Sequence, residues 1–201
     1  YPLEFYVGVI NNFGGFYRTE FYIHAARMCG ADVQAPCINH SNYLTGIQDK
    51  TIHLGFVHIA SLEQKLAQRI VEERDANGPY INLLDFKERI EPGLEQLKIL
   101  IRINAFRFTQ KNRKELMWEA HWLINKKKPT PATEKLFKET PKEFNLPNLN
   151  YDGIEDAYEQ MELLGFPLKT PFMLIPRDEK YNPAKEHTAK SIQRFMGKRI
   201  Q

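Results

Sequence analysis

At 201 residues the chain is long enough for one sizeable core or two small ones. Apolar residues make up 42% and charged residues 26%, an ordinary globular balance that excludes a disordered or collagen-like chain. No apolar run approaches the roughly 18–20 residues of a membrane span, so a transmembrane helix is excluded. The chain opens Tyr1-Pro2-Leu3, with no initiator Met and no signal-peptide pattern, which points to a processed or excised segment. Its two cysteines, Cys29 and Cys37, cannot make a disulfide framework, and a reducing cytoplasm is the expected setting. The net charge of +3 says little as a total. Its distribution says more. Residues 98–128 hold nine basic residues against Glu115 and Glu119, a local +7, while the remainder of the chain carries −4. Such a block suits contact with a polyanion; the alternative is a solvated helix face followed by a lysine-rich linker.

In chain order, residues 3–10 suit either a helix or a buried strand, and Asn11, Asn12 and Gly14-Gly15 break them. Residues 16–28 read as a helix with Phe21, Ile23, Ala25, Ala26 and Met28 on a broad apolar face, closed by Gly30 in a left-handed cap. Residues 31–38 alternate with Val33, Ala35 and Cys37 in phase and predict a strand. Residues 43–57 predict a β-hairpin turning at Asp49-Lys50. Ser61 with Gln64 makes a capping box for a helix that ends at Asn77-Gly78-Pro79. Asn82 caps a second helix through Phe86 and Ile90, Pro92-Gly93 opens a third, and Asn112 starts a fourth. In that fourth helix Leu116, Trp118, Trp122 and Leu123 are the expected core positions. Lys126-Lys127-Lys128 then runs into Pro129, Pro131, Pro141 and Pro147, a linker over 126–150. A short helix over 154–164 follows, with Asp156, Glu159 and Glu162 expected on its wet side and Gly165 closing it; the tail is proline-rich, then basic and amphipathic over 184–199.

Catalytic patterns are absent from the sequence. His24, Cys29, Cys37 and His40 have the wrong spacing for a structural zinc site, and both cysteines read as small buried hydrophobes. There is no P-loop, no G-x-G-x-x-G and no G-x-S-x-G elbow, so nothing recommends a small-molecule enzyme. Carboxylate pairs such as Glu72-Glu73 lie on expected wet helix faces, and no convergent set of Asp residues for two-metal chemistry can be picked out.

Ordered motifs carry a family resemblance. Tyr1-Pro2-x-Glu4-Phe5 resembles a helix that begins Y-P-x-E-F. Arg27-x-x-Gly30-Ala31-x-Val33, followed by Pro36-x-Ile38-Asn39-x-Ser41, resembles a signature of an Arg, a Gly, a Pro and N-x-S in that order. Gly55-Phe56, Ile70-Val71-x-x-Arg74, Gly78-x-Tyr80-x-x-Leu83-x-Asp85-Phe86-x-x-Arg89 and Leu100-Ile101-x-x-Asn104-Ala105-Phe106 continue it, and Gly165-Phe166-x-Leu168 with Pro171 comes late. Together they resemble the C-terminal fingers and tandem helix-hairpin-helix region of the alpha subunit of bacterial DNA polymerase III. Arg113-Lys114-x-Leu116-x-Trp118 also resembles a motif of the error-prone paralogue. The chain end, Gly197-Lys198-Arg199-Ile200, resembles the approach to that family's OB-fold.

The resemblance implies a mainly α fold: a tandem helix-hairpin-helix module with a small αβ and β-hairpin part before it. It divides the chain into fingers (1–50), hairpin domain (51–125), linker (126–150) and a last piece (151–201). The implied role is non-catalytic positioning of duplex DNA or a primer–template inside a cytoplasmic DNA-directed DNA polymerase. The parent's palm Asp residues and Mg²⁺ would lie upstream of Tyr1, with no cofactor in this segment and no membrane partner. The expected phosphate contacts are Arg107, Lys111, Arg113, Lys114, Lys126, Lys127 and Lys128, and the alternative for Arg113 is pairing with a carboxylate in the fold. Leu136 and Phe137 are the nearest match to a sliding-clamp peptide of the type Q-x-x-L-F, although its leading Gln is missing.

The hairpins depart from the family pattern. A working hairpin uses a G-h-G turn whose glycines let backbone amides approach a phosphate. Ser61 and Glu63 stand at those positions in the first turn, and Glu63 puts negative charge where phosphate would dock. In the second turn Asn104 replaces the first glycine and can still turn left-handed. The rival expectation is therefore a degenerate hairpin scaffold that positions a clamp or replisome subunit without gripping DNA.

Overall fold

The structure is a computed structural model that describes residues 1–125 and 153–168. Pro2 occupies the first turn of α1 (Pro2–Asn11), where its missing N–H is no loss, so this apolar stretch is helix rather than strand. α2 (Thr19–Met28) buries Ile23 and Ala26, but Phe21 and Met28 stay exposed, a narrower apolar face than expected. Gly30 follows at φ +90°, in the left-handed conformation read for it. Cys29, at the helix end, is exposed rather than buried; Cys37 is buried as expected.

The expected strand over 31–38 shortens to β1 (Asp32–Gln34). Pro36 has no N–H for a ladder, and the Cys37 N–H turns instead to the Ser41 hydroxyl at 3.0 Å. β2 (Gly46–Gln48) and β3 (Thr51–His53) form the predicted hairpin, with Ile47 opposite Ile52 and Asp49 at φ +55° in the turn. β1 joins β3 in parallel, Val33 opposite Ile52, which makes β3 the centre of the order β1-β3-β2. After β3 the chain crosses its own backbone at Gly55. A Cβ there would lie 2.4 Å from the Leu44 carbonyl carbon and 2.5 Å from Thr45 N and Tyr43 O, so only glycine passes.

Helices follow. α3 (Gln64–Asn77) ends at Gly78 with φ +83°. α4 (Leu83–Ile90) is capped as predicted, Asn82 Oδ1 accepting from Asp85 N–H at 2.8 Å. α5 (Leu94–Arg102) starts after Gly93. α6 (Arg113–Asn125) opens on a reciprocal box: Asn112 Oδ1 accepts from Lys114 N–H at 2.6 Å, and Glu115 Oε2 accepts from Asn112 N–H at 3.1 Å. α7 (Gly153–Leu164) is closed by Gly165 at φ +87°. The described residues thus comprise seven α-helices and one three-stranded sheet, a mainly α fold with a small αβ part.

Two cores hold these elements. Leu66, Ile70, Phe86, Leu100, Phe106 and Leu116 belong to the helical one, and Leu163 of α7 joins it. Ile10, Ile23, Val33, Ile52 and Leu54 form the αβ one, which also takes in Phe166 and Leu168. Trp118 is 62% exposed, contrary to the core position expected of it. Leu116, Ala120 and Leu123 fill the inner face of α6, and Trp118, about 200° round from Leu116, points away from it. The chain divides into units Tyr1–Lys169 and Thr170–Gln201, and every described residue belongs to the first.

Candidate nucleic-acid interface

Both hairpin turns hold one residue left-handed where a G-h-G turn has its first glycine: Ser61 at φ +62° and Asn104 at φ +61°. Asn104 behaves as expected. Ser61 does not cap α3: the helix begins at Gln64 after Glu63, with no side-chain cap, because Ser61 is consumed in the turn. Two amides of the first turn already have protein partners. Ala60 N–H donates to the Leu163 carbonyl at 2.7 Å, and Glu63 N–H donates to Gln96 Oε1 at 2.9 Å. Gln96 Nε2 returns to the Ser61 carbonyl at 3.0 Å. Gln64 and Lys65, at the start of α3, are exposed. The second turn closes on itself, Ala105 N–H to Leu100 carbonyl at 2.9 Å, while its Ala105 carbonyl accepts from Ile38 N–H at 3.1 Å.

The described part of the basic block is engaged inside the fold. Arg107 donates to the carbonyls of Pro36 and Ala35, both at 2.9 Å, and so ties the second turn to the end of β1. Arg113 is only 8% exposed; it meets Asp156 at 3.0 Å and the Arg102 carbonyl at 3.0 Å. This is the pairing alternative read for it in the sequence. Lys114 pairs with Glu155 at 3.2 Å, Lys98 with Glu95 at 2.9 Å, and Lys111 with Glu119 at 2.7 Å. The Lys111 side chain nevertheless remains 42% exposed. Lys126, Lys127, Lys128, Leu136 and Phe137 lie outside the described residues.

α7 carries the opposing charge. Asp156 is buried and Glu159 half-buried, so these two of the three acids expected on the wet side turn inward onto α5 and α6, while Glu162 stays exposed as expected. Arg102 sits between Glu159, at 2.6 Å, and Glu162. Burial opposes the charge on Arg102, but the bonds from Glu162 and Glu159 outweigh it and hold its pKa above the ordinary value. Four carboxylates of one helix thus meet three cations of two others.

The αβ part and the helices are joined by residues for which the sequence supplied a pattern but no role. Arg74 donates to the carbonyls of Ile38 and Ser41, at 3.2 and 2.6 Å, and to Asn42 Oδ1 at 2.7 Å. Asn39 exchanges two 2.8 Å bonds with the backbone of Tyr80. Burial pushes the Tyr80 hydroxyl up to about 12, and that hydroxyl donates to the Ile70 carbonyl at 2.9 Å. His58, against Thr45 Oγ1 at 2.9 Å, is pushed down to about 4 by burial. His53 is lowered as well, first by burial and then by His40 and Arg107. Among the described residues no three of His, Cys, Asp or Glu converge. Nor is any described helix long and apolar enough to cross a membrane.

Comparison with known proteins agrees with this geometry. Residues 30–116 match the helix-hairpin-helix motif family, a range that includes both left-handed turns. The chain is 31% identical over 108 residues to an error-prone DNA polymerase of Mycolicibacterium paratuberculosis, covering 53% of this chain and 10% of that protein. It is 31% identical over 126 residues to the error-prone DNA polymerase of Vibrio campbellii, covering 60% of this chain and 12% of the relative. To the DNA polymerase III subunit alpha of Staphylococcus epidermidis it is 27% identical over 176 residues, 83% of this chain and 16% of the relative. The chain thus spans between a tenth and a sixth of the length of these relatives. It bears a helix-hairpin-helix region, and its likeness runs to bacterial error-prone DNA polymerases and DNA polymerase III alpha subunits.

Proposed function

We propose that this chain serves a cytoplasmic bacterial DNA polymerase of the DNA polymerase III alpha type as a non-catalytic element that holds duplex DNA or a primer–template. The observation that carries this reading is the pair of left-handed hairpin turns, Ser61 and Asn104, inside the matched helix-hairpin-helix range. An exposed cation follows each turn, Lys65 at the start of α3 and Lys111, paired with Glu119, two residues before α6. Contacts of that kind go to phosphates, are independent of sequence and weaken with salt. Deoxynucleotide transfer with Mg²⁺ belongs, in this reading, to other parts of the polymerase. Lys126, Lys127 and Lys128 would add to the backbone contact, and Leu136 with Phe137 would offer a clamp peptide. Anisotropy of a labelled primer–template, titrated with the chain at several salt concentrations, tests the reading. Binding that weakens with salt supports it, and no binding at low salt removes it.

A second reading is favoured by the first turn. Glu63 stands at a phosphate-docking position, and its amide is already held by Gln96. A hairpin module occupied in this way suits a scaffold that positions a clamp or replisome subunit. Binding of a clamp protein by the chain without binding of DNA would favour it.

A further inference from the structure

We propose that α7 is an internal competitor of DNA: its carboxylates occupy, in the free protein, the cationic surface to which duplex phosphates bind. This rests on the DNA-holding reading above. α7 touches both hairpin structures at once. Near its C-terminal end the Leu163 carbonyl accepts from Ala60 N–H, one residue before the left-handed Ser61. Near its N-terminal end Asp156 meets Arg113 in the first turn of α6. Those two anchor points are seven residues apart, about 10 Å of helix. The helix therefore lies between the first hairpin turn and the start of α6, the two places from which a hairpin module offers amides and cations to a phosphate.

The charge pattern matches. α7 itself carries Glu155, Asp156, Glu159 and Glu162 and no base. They engage Arg102, Arg113 and Lys114, of which Arg102 and Lys114 keep part of their side chains exposed. Glu155 and Glu162 are largely exposed, at 47% and 66% of their side chains, so their bonds to Lys114 and Arg102 are open to exchange with phosphate oxygens. Asp156 and Leu163 are buried and hold the helix in place when no DNA is present.

Two measurements on the full chain test this. The first compares Glu155→Gln/Glu159→Gln/Glu162→Gln with a control of equal charge change elsewhere, Glu72→Gln/Asp75→Asn/Glu88→Gln. If α7 competes, removing both carboxylate partners of Arg102 adds at least one phosphate contact, and log Kobs against log salt steepens by about 1 or more relative to the control. The second needs no variant. Hydrogen exchange of residues 153–164 in the unaltered chain should accelerate when a saturating 20-base-pair duplex is added. Equal slopes in the two variants, or α7 exchange unchanged or slowed by bound duplex, overturn the competitor role and leave the DNA-holding reading standing. No duplex binding by any of the three proteins at low salt overturns both.

Discussion

Removing the Asp156 carboxylate should cost the fold more than any other single charge change on α7. Arg113 and Asp156 are each only 9% exposed in their side chains and lie 3.0 Å apart. Deleting one partner of such a pair leaves the other buried without full compensation, at a cost of about 3–5 kcal/mol. Arg113 keeps the Arg102 carbonyl at 3.0 Å and Glu155 at 3.9 Å, which places Asp156→Ala at the lower end, about 3 kcal/mol. In a chain of this size each kcal/mol moves Tm by about 2–4 °C, so the expected fall is about 6–12 °C. Urea denaturation gives the free energy directly, and circular dichroism gives Tm. Replacing both partners, Arg113→Met with Asp156→Leu, should recover most of the loss, since an apolar pair of similar volume avoids desolvating two charges. An Asp156→Ala protein within about 1 kcal/mol of the unaltered chain would refute the reasoning.

Three further outcomes follow from local geometry. Gly55→Ala should destabilise by about 1–3 kcal/mol or more in the same denaturation assay, since its Cβ would meet backbone atoms that no side-chain rotation can clear. Asn104→Gly should be neutral or stabilising and Asn104→Val destabilising by about 1–2 kcal/mol, because φ there is +61° and a branched Cβ resists it; equal stability of the two would contradict the turn. His58 has a folded pKa lowered from 6.5 to about 4, so the unfolded chain binds its proton first. Stability is therefore full above about pH 6.5, falls by about 3 kcal/mol as the pH drops towards 4 and loses nothing more to this group below that. Stability measured against pH should flatten in that window for His58→Gln.

What the sequence made legible was local. Gly30, Asn82 and Asn112 announced their caps through residue chemistry that acts over two or three positions, and the structure has each of them. The hairpin at Asp49-Lys50 was legible for the same reason. Ser61 misled because serine suits both an N-cap and a polar turn; the geometry of the turn takes the residue first and starts the helix at Gln64. Trp118 misled because size was read as burial, whereas the spacing of Leu116, Ala120 and Leu123 decides the inner face of α6. The parallel pairing of β1 with β3 carries no local signal at all. At the candidate interface, charge counting located the basic block but not its fate. Nothing within residues 98–125 reveals that Asp156 and Glu159, more than 40 residues from Arg113, fold back onto it. Four acids on one helix without a base were the available hint, but nothing local distinguishes the inward Asp156 and Glu159 from the exposed Glu162.

The most direct test of the DNA-holding role uses the two exposed helix-start cations rather than Arg113, whose charge is committed to the fold. Lys65→Gln with Lys111→Gln, against a labelled primer–template over a range of salt, measures how many phosphates they neutralise. If each contacts one phosphate, the slope of log Kobs against log salt should fall by about 2; because Lys111 also pairs with the buried Glu119 at 2.7 Å, the unfolding midpoint of the variant is measured alongside to confirm that it is folded in the assay. An unchanged slope in the variant, or no binding by the unaltered chain at low salt, would contradict the role.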